Sequence, residues 1–223
     1  LKAVGQTIET SGTVTIDPMR PQIVEPTDFA LPEGGLNIRL VDPALEQEKR
    51  LHGPRMAAVA AFARANRIDR PVWNAPQARL GIVAAGKAWL DLREALDELG
   101  IDEAAAERLG IRLYKIGMVW PLEPEGLKAF AAGLEHLLVV EEKRGLIEDQ
   151  VAAILYNLPD RPRLIGKRDL DGRVFLPSEG EISPALVARK VGGFVLANCG
   201  RDAMVEQRLA RIEQLESART GMT

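Results

Sequence analysis

The sequence predicts an α/β fold in which helices cover both faces of a mostly parallel sheet. Three short apolar segments, at 79–85, 111–116 and 136–140, each lie next to a helical pattern. Strands that alternate with helices at this spacing need crossover connections, and these place helices on both faces of the sheet. The expected architecture therefore has three layers, with an extended N-terminal connector and a C-terminal helix added to it.

The helices are predicted from apolar spacing and from residues that begin or end helices. Gly100 and Gly110 each stop a helical pattern, and Ser183 followed by Pro184 is a typical helix start. The predicted helices run from the first strand to residue 99, over 102–109, through 130 and 134, over 146–156, from 184, and over 201–217. The last of these is amphipathic.

The first 43 residues contain five prolines, which remove backbone donors and favour extended or turn geometry. This region is predicted to be a connector lying on another surface, with short extended stretches at 12–16, 22–24 and 36–40. Residues 44–66 have a helical pattern that Gly53-Pro54 should break or kink.

We therefore divide the chain into three parts. Residues 1–76 are predicted to be a Pro-rich connector and a helix from a preceding domain, and residues 77–192 the α/β domain. Residues 193–223 are predicted to be a helical segment leading to the next domain. The chain also begins at Leu1 without Met, which agrees with an internal fragment.

Composition excludes several classes of protein. Apolar residues make up 46% and charged residues 27%, with a net charge of −3, which is typical of a soluble globular protein. The densest basic group, Arg161 to Arg168, is diluted by acidic neighbours, so no nucleic-acid partner is expected. The chain has no apolar run of about 18 residues and no signal pattern, so no membrane partner is expected either.

The single cysteine, Cys199, excludes an internal disulfide and a Cys-based zinc or iron–sulfur site within this chain. A reducing, cytoplasmic location fits best. His52 and His136 have no second histidine, cysteine or suitably spaced acid, so no metal site and no nucleophilic triad are assigned.

Gly86-Lys87 lies where the first strand of the α/β domain turns into a helix, a position at which backbone N–H groups favour an anion. These two residues are the candidate anion or coenzyme A site. The surrounding residues form neither a Walker A loop nor a dinucleotide-binding glycine motif. The alternative is a tight turn with a solvated lysine.

Glu141, Glu142, Lys143 and Arg144 follow the most apolar strand, and carboxyl ends of strands line the functional crevice of open α/β sheets. The two carboxylates could perform acid–base work if their pKa values differed. The alternative is a structural or interface role, in which Lys143 or Arg144 neutralises one of them. Trp120, in a Pro-flanked loop at a third strand end, could cover a ligand or pack against another domain.

Several stretches, in one order, resemble the indolepyruvate ferredoxin oxidoreductase family of 2-oxoacid:ferredoxin oxidoreductases. They are Gly34-Gly-Leu-Asn-Ile-Arg39, Ala63-Arg-Ala-Asn66, Leu80-Gly-Ile-Val-Ala-Ala-Gly-Lys87, Tyr114-Lys-Ile-Gly-Met118, Trp120-Pro-Leu-Glu-Pro-Glu-Gly126, Val139-Val-Glu-Glu-Lys-Arg144, Ile147-Glu-Asp-Gln150 and Gly180-Glu-Ile-Ser-Pro184. In the fused or large-subunit enzymes, this region resembles a transketolase C-terminal-like domain. The tail around Asn198-Cys-Gly200 departs from the family, which has Cys-Pro-Gly-Cys after such a region.

The resemblance implies a parent enzyme that converts aryl 2-oxoacids and coenzyme A to acyl-CoA and CO2 and passes electrons to ferredoxin. It implies thiamine diphosphate, Mg and [4Fe-4S] clusters as the parent's cofactors, and a homo-oligomeric parent. The Gly-Asp-Gly type motif and the cysteine sets that hold these groups are not in this sequence. The chain is therefore expected to be an inactive structural or assembly domain with no catalytic residue of its own, and its partners are the remaining domains of the same enzyme.

Two other functions stay open at this point. One is a stand-alone α/β module that binds an anion, coenzyme A or a nucleotide at Gly86 and Lys87. The other is a pure interaction domain. Stabilisation by ligand would favour the first, and concentration-dependent association without ligand would favour the second.

Overall fold

Five strands form one sheet in the order β1-β3-β2-β4-β5. The computed structural model describes residues 13, 15–19 and 22–220. The strands are β1 (Arg70–Asn74), β2 (Leu80–Ala85), β3 (Ile111–Ile116), β4 (His136–Val140) and β5 (Arg163–Ile165). Strand β1 is antiparallel to β3 at one edge, and all other pairs are parallel. The mostly parallel sheet is thus confirmed.

Eight α-helices are described along residues 22–220. They are α1 (Ala44–Arg50), α2 (Met56–Ala65), α3 (Gly86–Leu99), α4 (Glu103–Leu109), α5 (Pro124–Ala131), α6 (Leu146–Leu155), α7 (Pro184–Asn198) and α8 (Ala203–Thr220). None of the helices in the described residues is both long enough and apolar enough to cross a membrane.

The helices lie on both faces of the sheet, as predicted. Successive residues of a strand point to opposite faces, so Ile82 and Val83 of β2 belong to different cores. The core containing Ile82 includes apolar residues of α3, α4, α7 and α8. The core containing Val83 includes those of α5 and α6. The three-layer α/β architecture is therefore confirmed.

The helical pattern over residues 44–66 is interrupted where Gly53-Pro54 predicted a break. One π-helical turn, Leu51–Arg55, contains Pro54 and joins α1 to α2. A wider turn lets the chain continue past a residue that cannot donate the usual backbone hydrogen bond. Neither α1 nor this turn has a buried residue, whereas Ala61 and Ala63 of α2 are buried.

Helix starts and stops agree with the sequence patterns. The Ser183 hydroxyl accepts a hydrogen bond from the Leu186 N–H at 3.2 Å, and the Asp102 carboxylate accepts one from Ala105 at 2.8 Å. Gly100 and Gly110 end α3 and α4 with φ of +71° and +68°, the left-handed conformation that glycine tolerates best.

Two strands were not predicted from the sequence. Strand β1 contains Pro71, which an edge strand tolerates because one side of its backbone needs no partner. Strand β5 has only three residues and lies in a segment that the sequence shows mainly as basic and rich in proline. Before Arg70, the described residues contain no strand, and part of the stretch predicted as extended at 12–16 lies outside them.

Candidate functional site

The carboxyl ends of β2, β3 and β4 lie at one edge of the sheet because these strands are parallel neighbours. Gly86 and Lys87 follow β2, Trp120 follows β3, and Glu141 follows β4. The topology therefore brings the predicted segments to a common edge. Side-chain contacts then decide which of them form one cluster.

Lys87 is the centre of a polar cluster at this edge. Its Nζ donates to the Asp91 Oδ2 at 2.7 Å, to the Ile182 carbonyl at 3.0 Å and, more weakly, to the Glu142 Oε2 at 3.4 Å. An ammonium group has three donors, so these acceptors match its full capacity. The lysine is part of an internal network, and about half of its side chain, 53%, remains exposed.

The protonation state of Lys87 reflects this network. Burial alone would lower its pKa, but the hydrogen bond and charge of Asp91, together with Glu142, outweigh burial and raise the pKa above its ordinary value. Lys87 is thus a permanent cation whose charge faces two carboxylates. Gly86, at φ +55°, has open space where a side chain would be.

Glu141 holds the start of helix α6. Glu141 is 6% exposed, and its carboxylate accepts the N–H groups of Leu146 at 3.0 Å, Ile147 at 2.9 Å and Glu148 at 2.9 Å. These are among the first backbone donors of the helix, which have no partner inside it and which favour an anion. The anion bound at this helix start is therefore Glu141 itself.

Lys167 joins the same end of β4 to segment 177–182. Its Nζ donates to the backbone carbonyls of Glu141 at 2.5 Å and Pro177 at 3.1 Å, and its N–H donates to the Glu148 carboxylate at 2.8 Å. Burial lowers the pKa of Lys167, and the charges of Glu141 and Glu148 oppose that effect in part.

The neutralising partner of the paired carboxylates differs from the one expected. In the structural alternative, Lys143 or Arg144 neutralises one of the two carboxylates. Lys143 Nζ instead donates to the Gly180 carbonyl, and Lys87 is the cation that contacts Glu142. Lys143 has φ of +62°, so the chain turns sharply after Glu142. Arg144 is exposed, and its carbonyl accepts the Leu146 N–H at 3.0 Å.

Trp120 stands apart from the Lys87 cluster. It is 63% exposed, and none of the contacts described for residues 22–220 joins its ring to Lys87 or Glu141. Its loop is fixed by Gln150, which accepts from the Leu122 N–H and donates to the Val119 carbonyl, both at 3.0 Å. An exposed ring on a rigid loop fits contact with another surface.

Sequence reasoning missed Asp91, Ile182 and Lys167. Asp91 lies four residues after Lys87 on a predicted helix, so spacing alone would have indicated the pair. The contacts of Ile182 and Lys167 join segments far apart in the chain, for which the sequence contains no local signal.

The remaining titratable candidates have structural surroundings. Burial raises the pKa of the Cys199 thiol to about 11, and the thiol is free. The His136 ring packs edge-on against Phe194 at 5.5 Å, and burial lowers its pKa. Across residues 13, 15–19 and 22–220 there is no group of three His, Cys, Asp or Glu side chains placed to hold a metal ion.

The chain spans about a fifth or less of the length of the curated relatives below. It is 32% identical over 140 residues to indolepyruvate oxidoreductase subunit IorA of Methanothermobacter marburgensis, which covers 62% of this chain and 21% of the relative. It is 33% identical over 98 residues to the same subunit of Pyrococcus abyssi, covering 44% of this chain and 14% of the relative.

Two solved structures are similar at low identity. One is a 2-oxoglutarate:ferredoxin oxidoreductase from Magnetococcus marinus with 2-oxoglutarate, coenzyme A and succinyl-CoA bound, at 17% identity and a TM-score of 0.47, covering 75% of this chain and 26% of that chain. The other is a split-gene transketolase, an inactive beta4 tetramer, at 19% identity and a TM-score of 0.36, covering 63% of this chain and 41% of that chain.

A family model described as the indolepyruvate oxidoreductase domain matches residues 70–219, which is more than half of the chain. The match begins at the edge strand β1 and extends almost to the end of helix α8. It therefore includes the whole sheet, both helical layers and the Lys87 cluster. This chain belongs to the indolepyruvate oxidoreductase domain family.

Proposed function

We propose that this chain is a non-catalytic assembly domain of a cytoplasmic, thiamine-diphosphate-dependent indolepyruvate:ferredoxin oxidoreductase. In this proposal the whole enzyme converts aryl 2-oxoacids and coenzyme A to acyl-CoA and CO2, with ferredoxin as electron acceptor. The chain contributes contacts to the remaining domains, in an enzyme that is a homo-oligomer. The division into a connector (1–76), an α/β domain (77–192) and a segment toward the next domain (193–223) is part of the same proposal.

One observation carries the proposal: an exposed apolar band on the connector and on α1 and α2. More than half of the large hydrophobic side chains that are exposed lie between residues 16 and 62. Leu40 and Val41, for example, are 89% and 88% exposed. Apolar surface that is concentrated in one region in this way is typical of sites of contact with other protein surfaces.

The apolar band includes an open groove of about 800 Å³ beside α2. Its apolar lining includes Phe29, Leu31, Leu36, Val59, Phe62 and Met118. The connector is fixed next to this groove rather than free to fill it. The Asn66 side-chain amide exchanges two hydrogen bonds of 2.8 Å with the Val24 backbone, and Arg64 pairs with Asp28.

Arg64 extends this attachment into the α/β domain. Its guanidinium also bonds the Glu123 carboxylate at 2.5 Å, and Glu123, 2% exposed, accepts the N–H groups of Glu125 and Gly126 at the start of α5. A buried carboxylate that is paired in this way holds its neighbours in one geometry. Arg64 of α2 and Glu123 at the start of α5 therefore join the connector to the α/β domain.

The described residues do not fit the parent's cofactors. They include one cysteine, and no group of three potential ligands for a metal ion occurs among them. No step through thiamine diphosphate, Mg or an iron–sulfur cluster is assigned to this chain. The polar groups at the strand ends are used internally, which supports a structural role there as well.

The test is assembly of the whole enzyme with one charge placed in the groove. Val59 and Phe62 are 39% and 40% exposed, so Val59→Asp and Phe62→Asp should leave this chain folded. In the whole enzyme they should reduce assembly, measured by size-exclusion chromatography with light scattering. Leu90→Asp, at an apolar site that is 65% exposed on α3, is the matched control. Unchanged assembly in the groove variants would contradict the proposal.

A stand-alone anion- or coenzyme-A-binding module remains the alternative, with Gly86 and Lys87 as its anchor. The saturation of the Lys87 ammonium by three internal acceptors argues against it. Thermal stabilisation of this chain by coenzyme A, lost in Lys87→Ala, would favour it instead.

A further inference from the structure

A basic cleft, defined by Arg67, Arg70, Arg93 and Lys115, lies at the β1 edge of the sheet. It has a volume of about 610 Å³ and is also lined by Asn66, Pro71, Val72 and Trp89. None of these lining residues is acidic. The chain as a whole has a net charge of −3, so the positive charge is a local feature of this cleft.

The four cations have no counterion within the described part of the chain. Ion pairs engage other cations, such as Arg79 with Glu135, but none involves a residue of the basic cleft. Four neighbouring cations without a carboxylate repel one another. An anion placed among them would relieve that repulsion.

Two tryptophans position the cations without neutralising them. The Arg93 guanidinium carbon lies 5.1 Å from the Trp73 ring centre and 5.9 Å from that of Trp89, and Lys115 Nζ lies 5.7 Å from the Trp89 ring. Such contacts attract a cation but leave its net charge in place. The Arg93 Nε is buried and has no acceptor among the described residues. The Arg93 guanidinium is therefore held beside the cleft by its two tryptophan contacts, without an ion-pair partner among the described residues.

Arg67 occupies a backbone position that favours glycine. It follows the end of α2 with φ of +50°, and it makes the paired hydrogen bonds of a Schellman motif: Arg67 N–H to Arg64 carbonyl and Ile68 N–H to Ala63 carbonyl. Helix α3 ends with the same pair of bonds, but there the left-handed residue is Gly100. An arginine in this conformation is strained, and no ion pair within the described chain offsets the strain.

We propose that the basic cleft binds the phosphate groups of a small phosphorylated molecule. Three guanidinium groups supply paired donors whose geometry matches phosphate oxygens. The cations come from a loop, an edge strand, a helix and a neighbouring strand and converge on one concavity, whose size is typical of small-molecule sites. An extended acidic peptide would instead need cations spread along a face. The site lies outside the Lys87 cluster and does not depend on the assembly role.

The first measurement is calorimetric titration of this chain with inorganic diphosphate at low ionic strength. We expect saturable binding that weakens as salt is added. Arg70→Gln, at an exposed position, should weaken binding about tenfold, the effect of losing one charge-assisted contact. Arg211→Gln, which removes an exposed arginine on α8, should leave binding unchanged. No binding at millimolar diphosphate, or equal binding by Arg70→Gln and the wild type, would overturn the proposal.

Arg67→Gly separates ligand binding from folding. Glycine relieves the left-handed strain, so the melting temperature should stay the same or rise, while diphosphate binding should weaken about tenfold. If the melting temperature is unchanged or raised, a loss of binding in this variant is not caused by unfolding. If Arg67→Gly binds diphosphate like the wild type, the arginine has no part in the site and the proposed geometry is wrong.

The kind of phosphorylated ligand is identified by comparing the affinity of the cleft for inorganic diphosphate with its affinity for ADP. Tighter binding of ADP identifies a nucleotide and equal binding identifies a phosphate site alone, and both results support the proposal. If neither diphosphate nor ADP binds, but Arg70→Glu disrupts assembly of the whole enzyme, then the cleft binds an acidic protein surface instead. That result would reject the phosphate assignment while leaving the assembly role intact.

Discussion

The Glu141 carboxylate should be the polar group at the strand ends on which folding depends most. It is 6% exposed and accepts three backbone N–H groups at the start of α6. Glu141→Ala removes all three acceptors and leaves the apolar residues of β4 in place. The N–H groups of Leu146, Ile147 and Glu148 then lose the acceptor that they share.

The loss of stability can be estimated from the burial of those donors. The Ile147 N–H is buried, and an unpaired buried donor costs about 1–3 kcal/mol. The Leu146 and Glu148 N–H groups are only partly buried, so losing their acceptor resembles loss of a helix cap, about 1 kcal/mol. We expect Glu141→Ala to lower the free energy of unfolding by about 3 kcal/mol.

Urea unfolding followed by far-ultraviolet circular dichroism measures this change. Glu142→Ala is the matched control, because Glu142 accepts one backbone N–H at 3.2 Å and faces the half-exposed Lys87 at 3.4 Å. Its loss should be about 1 kcal/mol or less. If the two alanine variants lose the same free energy, then Glu141 does not hold the start of α6 in the way described.

Four other outcomes are expected. Gly81→Ala should destabilise the chain by about 2 kcal/mol in urea unfolding, because the added carbon would lie 2.4 Å from Leu134, whereas Gly193→Ala, in open space within α7, should stabilise it by up to about 1 kcal/mol. Alkylation of Cys199 should have its midpoint at pH about 11 in the folded chain and near its ordinary pKa of 9.0 in urea. The stability that the neutral thiol contributes is then complete below pH 9.0 and is lost as pH rises through about 11. A midpoint that is the same in both states would contradict this. Calorimetry should detect no thiamine diphosphate binding with Mg, and turnover assays no activity on indolepyruvate; stoichiometric binding at micromolar affinity would reveal a site that the described residues do not show. In the whole enzyme, Lys87→Ala should leave the apparent coenzyme A requirement unchanged.

Local patterns predicted the interior of the fold but not its edges. The strands β2 and β4 are short apolar runs, and β3 is mainly apolar with Arg112 and Lys115 inside it. All three lie between helix signals, so their assignment needed only the sequence nearby. Strand β1 contains a proline and β5 has three residues, and each is a strand because a neighbour supplies the hydrogen bonds. Short edge strands depend on tertiary pairing, which a local pattern does not contain.

The strand-end site could likewise be predicted only in part. Topology placed Lys87 and Glu142 at one edge, as expected from parallel strands. Their partners were not predictable, since Glu141 lies five residues before Leu146 and matches no standard capping spacing. The basic cleft was equally hidden, because Arg67, Arg93 and Lys115 are far apart in the sequence.

Segment 177–182 explains why Lys87→Ala should lower thermal stability rather than change the apparent coenzyme A requirement. The segment is bound at the carboxyl ends of β2 and β4 through the carbonyls of Pro177, Gly180 and Ile182, which accept from Lys167, Lys143 and Lys87. The edge where open α/β sheets commonly bind ligands is therefore already occupied by the chain's own backbone. Removing Lys87 leaves the buried Asp91 carboxylate, 6% exposed, without its cation, so thermal stability should fall. A raised coenzyme A requirement with normal stability and assembly would mean that the segment moves aside in the whole enzyme, and Lys87 would then be a ligand-binding residue.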